Sequence, residues 1–140
     1  MNCFAVLFTS KGKSAFIFSS KLSNISSIST LSIASKRSES GPSAGLITTL
    51  EIYNRLTKKD ITKGLKIAGT GTIEEDGTIG EIGGVKYKIL GAVKDKANVF
   101  LVPKGNYKEA KKYIKDKKMK IKLIKVSTIK EALEKLEEYK

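Results

Sequence analysis

Histidine and tryptophan are absent from this 140-residue chain, and cysteine occurs once, as Cys3. Without histidine, neither a Ser-His-Asp triad nor a Cys-His pair can be assembled. A lone cysteine excludes an intrachain disulfide, and with no histidine beside it the usual thiolate and imidazole ligands of a zinc site are missing. No metal and no cofactor are therefore expected. Long apolar runs are missing as well. Phe4-Ala5-Val6-Leu7-Phe8 and Ala15-Phe16-Ile17-Phe18 are too short to cross a bilayer, and no order of basic, apolar and small-residue regions reads as a signal peptide. The chain as written is expected to be soluble and cytoplasmic, with no membrane segment.

Acidic residues are also scarce: 14 Asp and Glu stand against 27 Lys and Arg, a net charge of +13. Such a balance invites a nucleic-acid partner. The distribution argues against one. The lysines concentrate between Lys104 and Lys125 (Lys108, Lys111, Lys112, Lys115, Lys117, Lys118, Lys120 and Lys122), largely on one predicted helix and the turn after it. Tyr107 and Tyr113 are the only aromatics among them, and there is no arginine to read or stack bases. A solvated basic face is the expectation.

What the chain does contain falls into two parts. Residues 1–40 are rich in serine, with a single glycine, Gly12, and a single acid, Glu39. Phe4–Phe8 and Ala15–Phe18 could pair as a hairpin through Lys11-Gly12-Lys13, while Lys21–Ser40 mixes helical and alternating spacing and reads as neither. From residue 41 to 140 the pattern is clear. A helix over 44–56 places Leu46, Leu50, Tyr53 and Leu56 on one face. Lys66–Ile73 alternates as a strand, Glu74-Glu75-Asp76-Gly77 turns, and Thr78–Ile82 is a second short strand. A helix over Val85–Lys96 follows the Gly83-Gly84 break, with Val85, Ile89, Ala92 and Val93 on one face. Val99–Val102 is a buried strand ended by Pro103, Asn106–Lys118 is the basic helix, and Ile121–Val126 is another strand. Ser127 is expected to cap a last helix, Thr128–Tyr139, with Ile129, Leu133 and Leu136 facing inward. This alternation predicts one α/β (α+β) domain, layered helices on a small mixed sheet.

Two positions stand out for chemistry. Gly41-Pro42-Ser43-Ala44-Gly45 sets Ser43 at the head of the first helix, among N–H groups without intrahelical acceptors and at the positive end of the dipole. Such a place steadies negative charge developing on an attacked carbonyl, although a serine there also suits helix capping. With no histidine, a serine nucleophile needs another base, and a neutral lysine can serve. Lys86, in the first turn after Gly83-Gly84, is the candidate: the dipole disfavours positive charge there, and small neighbours allow close packing around it. Lys88 is the weaker candidate.

These two stretches resemble the Lon-type serine peptidases. Gly41-Pro42-Ser43-Ala44-Gly45 is similar to that family's nucleophile motif, and Ile82-Gly83-Gly84-Val85-Lys86 to its catalytic-lysine motif. Ala68-Gly69-Thr70-Gly71-Thr72-Ile73 and Val99-Phe100-Leu101-Val102-Pro103 also match the family pattern, and Leu50–Asn54 with Lys66–Gly77 is especially similar to the ATP-independent, PDZ-associated bacterial members. The resemblance covers about residues 40–140 and leaves residues 1–40 as a shortened or divergent N-terminal part. It implies the Lon proteolytic-domain fold and a Ser43–Lys86 dyad hydrolysing peptide bonds in a polypeptide substrate. Backbone groups around Pro42 and Ala44 would form the oxyanion hole, and a hydroxyl of Thr70 or Thr72 would orient the lysine. It further implies a ring-forming homo-oligomer. No Gly-x-x-x-x-Gly-Lys-Ser/Thr loop is present, so activity would be independent of ATP or would rely on another chain. The alternative is an inactive binding or scaffold domain using the basic helix.

Overall fold

A computed structural model describes residues 6–8, 42–57 and 60–139. Its elements are β1 (Val6–Phe8), a single 3-10 turn (Pro42–Ala44), α1 (Gly45–Leu56), β2 (Ile67–Gly69), β3 (Thr72–Ile73), β4 (Ile79–Gly80), α2 (Val85–Lys94), β5 (Val99–Pro103), α3 (Tyr107–Asp116), β6 (Lys122–Val126) and α4 (Ile129–Glu138). One four-stranded sheet has the order β1-β2-β5-β6, and β3 and β4 form a separate two-stranded ribbon. β2, β5 and β6 run parallel, with Ile67 opposite Val99 and Val99 opposite Lys122, while β1 pairs antiparallel with β2.

Parallel strands need crossovers, and α2 and α3 supply them on one face, while α1 and α4 cover the other. The side chains of β5 alternate accordingly. Val99 and Leu101 join Leu46, Ile47 and Leu50 of α1 and Ala132 and Leu136 of α4 in one core. Phe100 and Val102 join Val85, Ile89 and Ala92 of α2 and Ala110 of α3 in the other. The result is a helix–sheet–helix sandwich, the layered α/β architecture expected from the alternation of elements. Each fully buried Leu, Ile, Val or Phe contributes roughly 1.5–3 kcal/mol.

Several local expectations are corrected. On α1 the buried stripe is Leu46, Ile47, Leu50 and Glu51, so Tyr53 and Leu56 point outward, Leu56 at 82% exposure. Asn54 occupies the next turn of that stripe and accepts the Ile61 N–H at 2.9 Å, so the inward face departs from the one counted from Leu46, Leu50, Tyr53 and Leu56. The strand expected over Lys66–Ile73 divides at Thr70-Gly71. Gly71 donates its N–H to Ser43 O at 2.9 Å and accepts that of Leu46 at 3.0 Å, so its backbone belongs to the head of α1 and not to the sheet. The last helix is capped by Thr128 and not Ser127: Thr128 Oγ1 accepts the Glu131 N–H at 3.1 Å, and Glu131 accepts the Ser127 N–H at 2.6 Å. This is a reciprocal cap of the Thr-x-x-Glu kind, displaced by one residue. β1 lies within the expected Phe4–Phe8 strand. The hairpin through Lys11-Gly12-Lys13, Ala15–Phe18 and the rest of the 1–40 segment lie outside the described residues.

Candidate active site

Ser43 sits in the 3-10 turn that leads into α1, whose N-cap position is Ala44 with no side-chain cap. The serine hydroxyl is therefore not spent on capping. Its backbone is held by the residues just past β2: Ser43 O accepts the Thr70 hydroxyl at 3.0 Å and the Gly71 N–H at 2.9 Å. Thr70 is fully buried, so the anchor is shielded from water. The approach of α1 to the sheet depends on Gly69, where a Cβ would lie 2.8 Å from Ile47 Cδ1 and 2.9 Å from Leu101 Cβ.

The lysine that meets Ser43 is Lys88. Its Nζ donates to Ser43 Oγ at 3.0 Å, and the residue is only 9% exposed. Lys86, the residue expected from the sequence, is instead on the outer face of α2, its side chain 52% exposed and its Nζ 3.4 Å from Glu109 Oε1 of α3. Helix geometry is the cause. The buried set on α2 is Val85, Lys88, Ile89 and Ala92, the i, i+3, i+4, i+7 pattern of a face turned to the core. Lys88 is bracketed by Val85 one turn before and Ala92 one turn after. That bracketing is legible in the sequence and is the signal that could have found it. The glycine pair also has a different job from the one expected. Gly83 has nothing within 4 Å of an added Cβ, and Gly84 adopts φ +69°, so the pair makes a left-handed entry to α2 and does not pack around a lysine.

The remaining candidates separate. Pro42 is exposed and has no N–H to give an oxyanion. Ala44 stands at the N-cap position of α1, beside Leu46, whose N–H is taken by Gly71 O. Thr70 anchors the serine's backbone, not the lysine. Thr72 turns toward β4, its Oγ1 lying 2.2 Å from where a Gly80 Cβ would stand. A residue that sequence reasoning passed over is Asn106, whose side chain accepts the Ile82 N–H and donates to Ile82 O, both at 2.9 Å. Lys108, Lys111, Lys112 and Lys115 are exposed on α3. The Tyr107 ring beside them already lies between Lys111 Nζ at 5.9 Å and Lys125 Nζ at 5.8 Å. Among the described residues no helix is long and apolar enough to cross a membrane.

Ser43 and Lys88 come from helices on opposite faces of the sheet, and they meet beyond the carboxyl ends of β2 and β5, where open parallel sheets place their ligands. The class defined by this fold and site is a layered α/β domain with a serine hydroxyl and a buried lysine amine in contact at a helix head. Residues 34–138 match the family model of the Lon protease (S16) C-terminal proteolytic domain, and the chain belongs to that family. It is 35% identical over 96 residues to a Lon protease of Neorickettsia sennetsu, covering 69% of this chain. It is 34% identical over 95 residues to one of Desulfatibacillum aliphaticivorans, covering 68%, and 36% identical over 93 residues to one of Trichlorobacter lovleyi, covering 66%. The matched stretch is about 11% of the length of each of these relatives.

Proposed function

We propose that this domain is a serine peptidase in which Ser43 is the nucleophile and Lys88 the general base and acid. The observation that carries the reading is the 3.0 Å contact between Lys88 Nζ and Ser43 Oγ. A lysine accepts a proton only as the free amine, and burial is a general means of disfavouring the ammonium form. Ser43 Oγ attacks the peptide carbonyl carbon while its proton passes to Lys88 Nζ, and the carbonyl oxygen takes up negative charge. Backbone N–H groups of the turn that carries Ser43, at the positive end of α1, stabilise that oxyanion. As the intermediate collapses, the C–N bond breaks and Lys88 returns the proton to the leaving amine. Water then attacks the acyl ester, giving a proton to Lys88, which passes it back to Ser43 as the acid departs.

None of these steps consumes a nucleotide, so hydrolysis of a short unstructured peptide proceeds without ATP. Assembly into a homo-oligomer belongs to the same reading and is measured by sedimentation. The test is labelling with a fluorophosphonate, followed by mapping of the adduct. The expected result is a single adduct on Ser43, lost in Ser43→Ala. A folded protein that stays unlabelled at every pH up to about 10, where free lysine itself deprotonates, contradicts the proposal.

A further inference from the structure

Asn106 stands at the N-cap of α3, a position where asparagine ordinarily bonds the helix's own first-turn N–H groups. Here it makes no such bond. Both ends of its amide are committed to Ile82, accepting the N–H and donating to the carbonyl oxygen at 2.9 Å each. The residue is 7% exposed. Ile82 lies in the loop that launches α2, immediately before the Gly83-Gly84 turn, so this amide pins the backbone from which Lys88 is projected. A second contact holds the same loop. The Glu81 carboxylate occupies the space over Gly105, where an added Cβ would lie 1.6 Å from Glu81 Oε1.

The two halves of the site are thus fixed in parallel ways. Thr70 and Gly71, just past the end of β2, hold the Ser43 carbonyl. Asn106, just past the end of the neighbouring parallel strand β5, holds the loop before Lys88. Strands β2 and β5 are in register, so the separation of serine and lysine is set by one rigid ladder through two side-chain anchors.

We propose that Asn106 is a positioning residue for the reaction, setting Lys88 against Ser43 through the backbone of Ile82. The inference rests on the peptidase reading above. A loop staple of purely structural kind would alter stability only. A positioning residue alters the chemical step, because a displacement of about 1 Å at a reacting group costs on the order of 100-fold in rate.

The experiment measures the saturation kinetics of fluorophosphonate labelling for the wild type, Asn106→Ala, Asn106→Asp and Leu133→Ala. Leu133 packs against the core on α4, across the sheet, and serves as a destabilised control. All are assayed well below their melting midpoints. The expected result is a fall of roughly 10–100-fold in maximal rate for Asn106→Ala at unchanged half-saturating concentration. Asn106→Asp, which keeps the acceptor for the Ile82 N–H, falls less, and Leu133→Ala labels as the wild type does. An Asn106→Ala rate equal to that of wild type or of Leu133→Ala overturns the inference. Should Asn106→Ala not fold, a wild-type rate in Asn106→Asp overturns it instead. An unlabelled wild type removes the peptidase reading and this inference with it, whereas a labelled wild type with an indifferent Asn106 removes the inference alone.

Discussion

Gly69 is the point where the fold and the site are most tightly coupled, and Gly69→Ala perturbs both. The added Cβ would stand 2.8 Å from Ile47 Cδ1, 2.9 Å from Leu101 Cβ and 3.1 Å from Leu101 O. Carbon atoms settle at about 3.5–4.0 Å. The Ile47 methyl can rotate away. Leu101 cannot, because it lies on β5 opposite Gly69 in the parallel ladder. Overpacking of this kind costs about 1–3 kcal/mol. At roughly 3–4 °C per kcal/mol for a chain of this length, the melting midpoint should fall by about 3–12 °C. β5 must shift against β2, and the residues just past β2, Thr70 and Gly71, anchor Ser43, so the labelling rate at Ser43 should fall with it. Thermal melting followed by circular dichroism, together with fluorophosphonate labelling, measures both effects. Ile47→Val alone should cost about 0.5–1.5 kcal/mol, but in the Gly69→Ala background it removes one of the clashes and should cost less, so the pair is non-additive. A Gly69→Ala protein that melts and labels as wild type, or a strictly additive double variant, would refute the argument.

Other perturbations follow from single contacts. Thr70→Val keeps the volume but removes the hydroxyl from Ser43 O, which retains the Gly71 N–H. Stability should fall by about 1 kcal/mol in denaturant titrations, with slower labelling, while Thr70→Ser should restore both. Gly84→Ala forces a side chain into φ +69° and should cost about 1–2 kcal/mol, whereas Gly83→Ala, with open space around it, should stay within about 0.5 kcal/mol. The Glu131 carboxyl is held below its ordinary value of 4.5 chiefly by its hydrogen bond with Lys135, with the Ser127 N–H adding to this against the opposing effect of burial. Because the folded value is the lower one, the unfolded chain binds more protons in that window. The stabilisation is present above the unfolded value and is lost as pH falls through the folded one. Glu131→Gln should therefore lower stability at neutral pH and flatten its decline in acid.

Legibility in the sequence was uneven, for physical reasons. Element order from residue 44 onward could be read because apolar periodicity, Gly breaks and Pro103 mark boundaries without tertiary help. The position of Ser43 at the head of α1 was legible too, from its place before an amphipathic run. Faces were harder. On α1, Glu51 sits inside the buried stripe and half-buried Asn54 follows it, so a face counted from Leu46, Leu50, Tyr53 and Leu56 turns the helix the wrong way. On α2, Lys88 occupies a core-facing position that a lysine rarely takes, so its charge hid it, while Lys86 beside the glycines drew attention. The division of Lys66–Ile73 and the bonding of Asn106 to Ile82 were not legible at all. Each depends on hydrogen bonds between segments far apart in the chain, Gly71 with Ser43 and Leu46, and Asn106 with Ile82.

In the proposed mechanism Lys88, not Lys86, activates Ser43. The most direct test compares the rate of fluorophosphonate labelling in Lys88→Met and Lys86→Met, each shown to be folded. Removing a general base costs about 100–10,000-fold, and losing an exposed ion pair costs at most about 1 kcal/mol of stability. Labelling should therefore collapse in Lys88→Met and persist at the wild-type rate in Lys86→Met. Labelling that survives in Lys88→Met, or that is lost in Lys86→Met instead, would contradict that mechanism.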